Sequence, residues 1–377
     1  MHQPLVALDI GSTKVACAIG LPCERSPGFE LLGSSVVPYP TLSEAWLGDP
    51  LLVSRTIEQA LDATAVTAEF HRALVSLSHP LLESESVRTT VALGDEPMTV
   101  RAQDVDRLQR SALDLALGID REALMVERLG FDGNGFEHVR DPRGLSATRL
   151  AGRFHIITMP VSVRRALFQA VESAGLEIHR LTYALPATWA GMADGGAHQQ
   201  RALLIDVGGL TTDLGLFVES ALQHSATVPW GGLRLALTIA KELQVTMDQA
   251  VTWSLEGHGC RKPAVRARID AGWTELRQAI ERLLRDQPRP NTAYVAGRGA
   301  LIDGFAEWVE QATGIPTSLI RTVRLTRVGD LARQVGLSAA IGLLESATRT
   351  AASPAWRSPH LFNRLIDQTR AVLTEYF

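Results

Sequence analysis

Leu203-Leu204-Ile205-Asp206-Val207-Gly208-Gly209-Leu210-Thr211-Thr212-Asp213 repeats, 197 residues further on, the layout of Val6-Ala7-Leu8-Asp9-Ile10-Gly11-Ser12-Thr13-Lys14-Val15-Ala16. Each stretch is an apolar run, an Asp, a short turn bearing glycine and hydroxyls, and a return to apolar residues. Short apolar runs bounded by turn residues predict buried strands, and a glycine turn between two of them predicts a tight hairpin. Two such hairpins so far apart predict a duplicated α/β fold.

The bulk numbers bound the rest. A chain of 377 residues holds two domains or one large duplicated fold. Apolar residues make up 46% and charged residues 21%, enough for a substantial core and against disorder as a whole. Basic and acidic side chains number 37 and 41, for a net charge of −4. No global field favours nucleic acid, so any anion site must be local. Cys17, Cys23 and Cys260 are too few, and odd in number, for a disulfide framework. The N-terminus enters a strand at once without a signal segment, and no stretch approaches the roughly 20 apolar residues of a membrane span. A soluble or peripheral protein is expected.

Residues 4–20 predict an apolar hairpin, extended by a strand at 30–37 that Pro38 and Pro40 end. Helical spacing over 51–68 places Leu52, Thr56, Ala60 and Leu61 on one face, and a short buried strand follows at 73–77. Residues 79–153 change texture to strand–helix–strand–strand and read as an insertion within the first domain. A helix at 161–174, capped by Gly175, a strand at 176–181 and a helix at 186–192 lead to a linker at 193–196 and the second hairpin. Helices are expected at 233–255, 264–286 and 334–345, and a strand ending in a glycine turn at 294–300. Small residues and two prolines at 351–359 suggest a linker before a last helix at 361–377.

The hairpins suggest phosphate chemistry. Backbone N–H groups reach phosphate oxygens where no Cβ intervenes, and glycine turns after strands provide that. Gly11, Ser12 and Thr13 form one such turn, and Gly208, Gly209, Thr211 and Thr212 the other. Gly297, Arg298 and Gly299 form a third before a helix, where an adenosine-side loop would sit. Asp9 and Asp206, at strand ends, suit Mg2+ held through its waters, and Lys14 would offset phosphate charge. A lone Asp-x-Gly after a strand is commonly just a turn; the order of three turns is what favours a nucleotide such as ATP. No general base stands out: His71, His79, His155 and His258 read as structural or solvated.

That order resembles the actin/Hsp70/sugar-kinase superfamily, with its duplicated ribonuclease H-like fold. Within it the chain looks like the FtsA family of bacterial cell-division actin homologues. The resemblance rests on ALDIGSTKVACAIG (7–20), DPRGLSATRLAGRFHIIT (141–158), RALLIDVGGLTTDLGLF (201–217), ALQHSATVPWGG (221–232), EGHGC (256–260) and AGRGALIDGF (296–305). It implies an actin-like domain 1A at 1–78, 154–182 and 330–350, and an FtsA-type inserted subdomain 1C at 79–153. It further implies domain 2A at 183–240 and 287–329, a reduced subdomain 2B at 241–286, a linker at 351–360 and an amphipathic membrane-targeting helix at 361–377. By the same resemblance the chain would bind ATP and Mg2+ and self-associate into filaments on the cytoplasmic face of the inner membrane. It would tether the tubulin-like FtsZ or other division proteins at the division site.

The tail agrees on its own terms. Leu361, Leu365, Val372 and Tyr376, joined by Phe362, Ile366, Leu373 and Phe377, make an apolar stripe, with Arg364 and Arg370 placed to snorkel. Against them, Asp367 and Glu375 leave little net positive charge for anionic lipid. Two departures bear on turnover. Leu210 stands where the family's Asp-Ile-Gly-Gly-Gly-Thr loop has a third glycine, and is expected to crowd the phosphate or to require a backbone that Leu disfavours. Arg298 interrupts the adenosine loop's glycines. Slow hydrolysis at most, or pseudo-ATPase behaviour, is therefore expected. Two other readings share the fold: a PilM-like pilus assembly adaptor, and a sugar or acetate kinase.

Overall fold

Two five-stranded sheets carry the duplication, in a computed structural model that describes residues 3–23, 28–192, 201–320, 322 and 331–352. The first is built from β1 (Leu5–Ile10), β2 (Lys14–Pro22), β3 (Phe29–Pro38), β4 (Arg72–Leu77) and β11 (Glu177–Tyr183), in the order β3-β2-β1-β4-β11. The second contains β12 (Arg201–Val207), β13 (Thr212–Val218), β14 (Ala221–Val228), β15 (Thr292–Ala296) and β16 (Thr317–Leu319), ordered β14-β13-β12-β15-β16. In both, the first three strands are antiparallel and the last two run parallel to the first. The register repeats too: Asp9 faces Ala16 in one hairpin and Asp206 faces Asp213 in the other.

Alternation along the strands decides how each sheet is covered. Val6, Leu8, Ile10, Val15, Cys17 and Ile19 face α1 (Pro50–Asp62) and α3 (Val161–Ser173). The intervening Ala7, Ala16 and Ala18 face α10 (Ser338–Ala352), and small side chains there let the helix lie close. Between the two sheets runs α4 (Ala184–Ala190), whose Trp189 stacks on Phe217 of β13 at 4.4 Å between ring centroids. On the far face of the second sheet, Leu203, Ile205, Val207 and Leu214 pack against α5 (Gly232–Leu243), α7 (Pro263–Leu284) and α8 (Phe305–Thr313).

The insertion leaves after β4 and returns into α3. It is a four-stranded sheet, in the order β5-β10-β7-β8, formed by β5 (Glu83–Ala92), β7 (Arg121–Gly133), β8 (Phe136–Val139) and β10 (Arg149–Pro160). The small pair β6 (Met98–Thr99) and β9 (Ser146–Ala147) closes one end. One face buries Val87, Val91, Phe131, Phe154 and Ile156 against α2 (Ala102–Ala116), giving this unit its own core.

Several boundaries differ from those read in the sequence. The helix expected over 51–68 stops at Asp62, because Ala65 takes a left-handed conformation and ends it. The helix expected over 233–255 is two: Gln244 is left-handed at the end of α5, and Thr246 caps α6 (Met247–Leu255). The helix at 334–345 is likewise preceded by a separate turn, α9 (Leu331–Gly336). From 232 to 284 the elements are all helices, joined by short breaks at 244–246 and 260–262. The expected tail helix at 361–377, with its membrane residues, lies outside the described residues.

Candidate functional site

The two hairpin loops have the same length and closure. Gly11 N donates to Lys14 O at 3.1 Å, and Gly208 N to Thr211 O at 2.8 Å. The second loop is anchored from behind: Gly232 N donates to Gly208 O at 3.0 Å and Leu233 N to Gly209 O at 2.8 Å, so loop carbonyls accept the first amides of α5. The two loops then meet. Leu210 N donates to Ser12 Oγ at 3.2 Å, and a Cβ on Gly209 would collide with Thr13 and Ser12. Only glycine permits that approach.

Three carboxylates gather under the loops. Asp9 pairs with Lys14 Nζ at 2.8 Å and accepts from Ser76 Oγ at 2.9 Å. Asp206 accepts from Thr188 Oγ1 at 2.9 Å. Asp213, its partner across the hairpin, accepts from Thr227 Oγ1 at 2.7 Å on one oxygen and from Ser78 Oγ on the other. Burial pushes the Asp206 carboxyl up to about 7, and the nearby charge of Asp213 adds to the rise. Burial raises Asp213 as well, against the hydrogen bonds from Ser78 and Thr227. Of the three, Asp213 is buried and Asp9 and Asp206 partly so, and Lys14 is paired with Asp9.

That donor set fits Mg2+, a hard cation that takes carboxylate oxygens and keeps its waters. Among the described residues no three His, Cys, Asp or Glu side chains are grouped to hold a metal ion directly. A phosphate tail fits less directly: the loops touch through Ser12, Thr13, Gly209 and Leu210, and must part to admit it.

The remaining expected site residues divide. Gly297, at φ +76°, lies so close to Asp206 and Val207 that a Cβ would clash with both, so the third turn abuts the second hairpin; Gly299 packs on Val207. Thr211 Oγ1 lies 3.3 Å from Ser78 Oγ. Thr212 is wholly buried and donates to Trp230 O at 2.9 Å, a bond internal to its own half. Arg298 turns to the first half, lining a cavity of about 320 Å3 with Ser35, Val36, Ala63, Ala332 and Arg333. Leu210 does not adopt the left-handed backbone, one of the two expectations for it, and its side chain is fully buried in the main core. Asp213, Ser78, Ser76 and Thr188 are the residues the sequence reading missed. Asp213 was legible, since seven positions after Asp206 is its cross-hairpin partner in a four-residue loop.

The paired sheets, the two facing hairpins and the insertion after β4 define an actin-like protein. The model of the SHS2 domain inserted in FtsA matches residues 81–158. The cell division protein FtsA of Pseudomonas aeruginosa is 24% identical over 370 residues, covering 90% of this chain and 88% of that protein. FtsA of Borreliella burgdorferi is 23% identical, covering 90% of each. Among solved structures, a chain of the PilM-PilN type IV pilus biogenesis complex aligns with a TM-score of 0.72 at 16% identity, over 92% of this chain and 99% of that one. MreB 5 of Spiroplasma citri bound to AMPPNP aligns at 0.51 and 13% identity, over 93% and 98%. The chain is thus similar to FtsA proteins over about 90% of its length, and the similarity takes in their inserted SHS2 domain.

Proposed function

We propose that the chain is an ATP-binding adaptor of the bacterial division apparatus. It self-associates into filaments on the cytoplasmic membrane and links FtsZ or related division proteins to it. The observation that carries this reading is the match to FtsA proteins over 90% of the chain, insertion included, together with a site where carboxylates gather under two glycine hairpins. The nucleotide part is supported by the AMPPNP in a structural neighbour of the same fold. Mg2+ would sit by Asp9 and Asp206 and draw off their charge, while Gly11, Ser12, Thr13, Lys14, Gly208, Gly209 and Thr211 would face the phosphates. In this reading residues 361–377 lie on the membrane surface; among the described residues no helix is long and apolar enough to cross a membrane. Hydrolysis is slow or lacking.

Calorimetry with ATP and Mg2+ tests the site: heat of binding is expected, weakened in Asp206→Ala, and no heat at millimolar nucleotide would remove ATP from the proposal. Sedimentation with liposomes tests the tail: the chain truncated after residue 360 is expected to stay in solution, and unchanged co-sedimentation would remove the membrane role. A pilus-assembly adaptor is the second reading, drawn from the PilM-PilN alignment. At 16% identity that likeness speaks to fold alone, and co-pelleting with FtsZ polymers separates the two.

A further inference from the structure

The insertion touches the second half along a polar seam. Ser84 Oγ donates to Ser225 O at 2.6 Å, and His155 bridges Ser86 Oγ at 3.1 Å and Ser225 Oγ at 2.9 Å. Arg140 pairs with Glu219 at 2.6 Å. Ser225 belongs to β14, the edge strand of the second sheet. Two residues along the same strand stands Thr227, a donor to Asp213. The other donor to Asp213 is Ser78, which immediately follows β4 where the chain leaves for the insertion. The Tyr183 phenol, wholly buried, is in the field of the same carboxylate.

We propose that Asp213 couples the hairpin site to the docking of the inserted subdomain. One carboxylate oxygen holds the stem of the insertion through Ser78, and the other holds the strand on which the insertion rests through Thr227. The coupling deepens the nucleotide reading and takes its ligand from it. Asp213 faces Asp206 across a hairpin whose loop lies against the other loop, so a ligand that settles between the loops fixes this pair. Fixing Asp213 fixes both of its donors, and with them the two sides of the seam. An occupied site therefore tightens the insertion against β14, and an empty one lets it loosen. Coupling of this kind needs a shared element with two arrangements, and the shared element here is the Ser78–Asp213–Thr227 bridge. Ser78 and Asp213 act as positioning residues.

Hydrogen–deuterium exchange of the full chain decides this, read on peptides covering β5 and β14, with α8 as the distant control. Without ligand, Asp213→Asn and Ser78→Ala are expected to exchange about five-fold faster than wild type in β5 and β14 and unchanged in α8. ATP with Mg2+ should slow exchange at both strands in wild type and in neither variant. Wild-type exchange in β5 and β14 of both variants would overturn the coupling. So would nucleotide heat in calorimetry with no added protection at the seam, which leaves the nucleotide reading intact. No heat, with faster exchange in the variants, removes the nucleotide reading and supports the bridge on its own. Should Asp213→Asn fail to fold, Ser78→Ala decides, since it removes one hydroxyl from a half-buried position.

Discussion

At the scale of the residue, Leu210 and Asp206 show what one position in a duplicated hairpin can do. Leu210 occupies a glycine's place yet lies fully buried in the main core. Leu210→Gly should therefore cost stability by about 3 kcal/mol, as loss of a buried Leu does, without a gain in nucleotide affinity. Tighter binding by calorimetry would show instead that Leu210 crowds the phosphate. Asp206 carries a different signature. Its folded pKa, about 7, lies above the 3.8 of an ordinary Asp, so the folded state holds the proton more tightly. Its contribution to stability is complete below about pH 4 and is lost as pH rises through 7. Asp206→Asn should flatten that decline and raise ligand-free stability near pH 8 by on the order of 1–2 kcal/mol. Thermal melts from pH 4 to 8 measure it, and a wild-type slope in the variant would contradict it.

Elements make the seam testable. His155 is buried between β5 and β14, and desolvation, with His224 beside it, lowers its pKa to about 4. Because the folded pKa lies below the ordinary 6.5, the stability it gives is present above pH 6.5 and is lost as pH falls toward 4. His155→Gln should lessen the loss of thermal stability between pH 7 and 5; an identical profile would mean that other groups set it. At this scale the sequence was a good guide to what forms and a poor one to where it stops. Strand hairpins were legible because alternation and glycine turns fix them locally. The break at Gln244 was not, because a left-handed residue between two apolar helices leaves the helical period almost undisturbed. In the same way, Asp9 and Asp206 could be read from strand ends. Ser78 and Thr188 reach the carboxylates only through folding, across 135 and 18 residues of chain.

The whole molecule is two copies of one sheet that differ in what hangs from them. The insertion leaves the first copy after β4, and the corresponding strand of the second copy, β15, is followed by the Gly297–Gly299 turn. The duplication was legible from two quoted stretches, whereas this equivalence needed the strand order. If filaments form through the insertion, electron microscopy on lipid monolayers should show them for the full chain. Substitution of the exposed Leu115 and Ile119 by Asp should abolish them while thermal stability stays within about 0.5 kcal/mol, as exposed positions allow. The covering of β14 carries a practical consequence. Ser84 and Ser86 aim their hydroxyls at the carbonyls of Ser225 and Gln223 on that outermost strand. A version of this protein trimmed of its insertion for convenience would bare those acceptors to other chains. It should precipitate from concentrated solution as sheets join edge to edge.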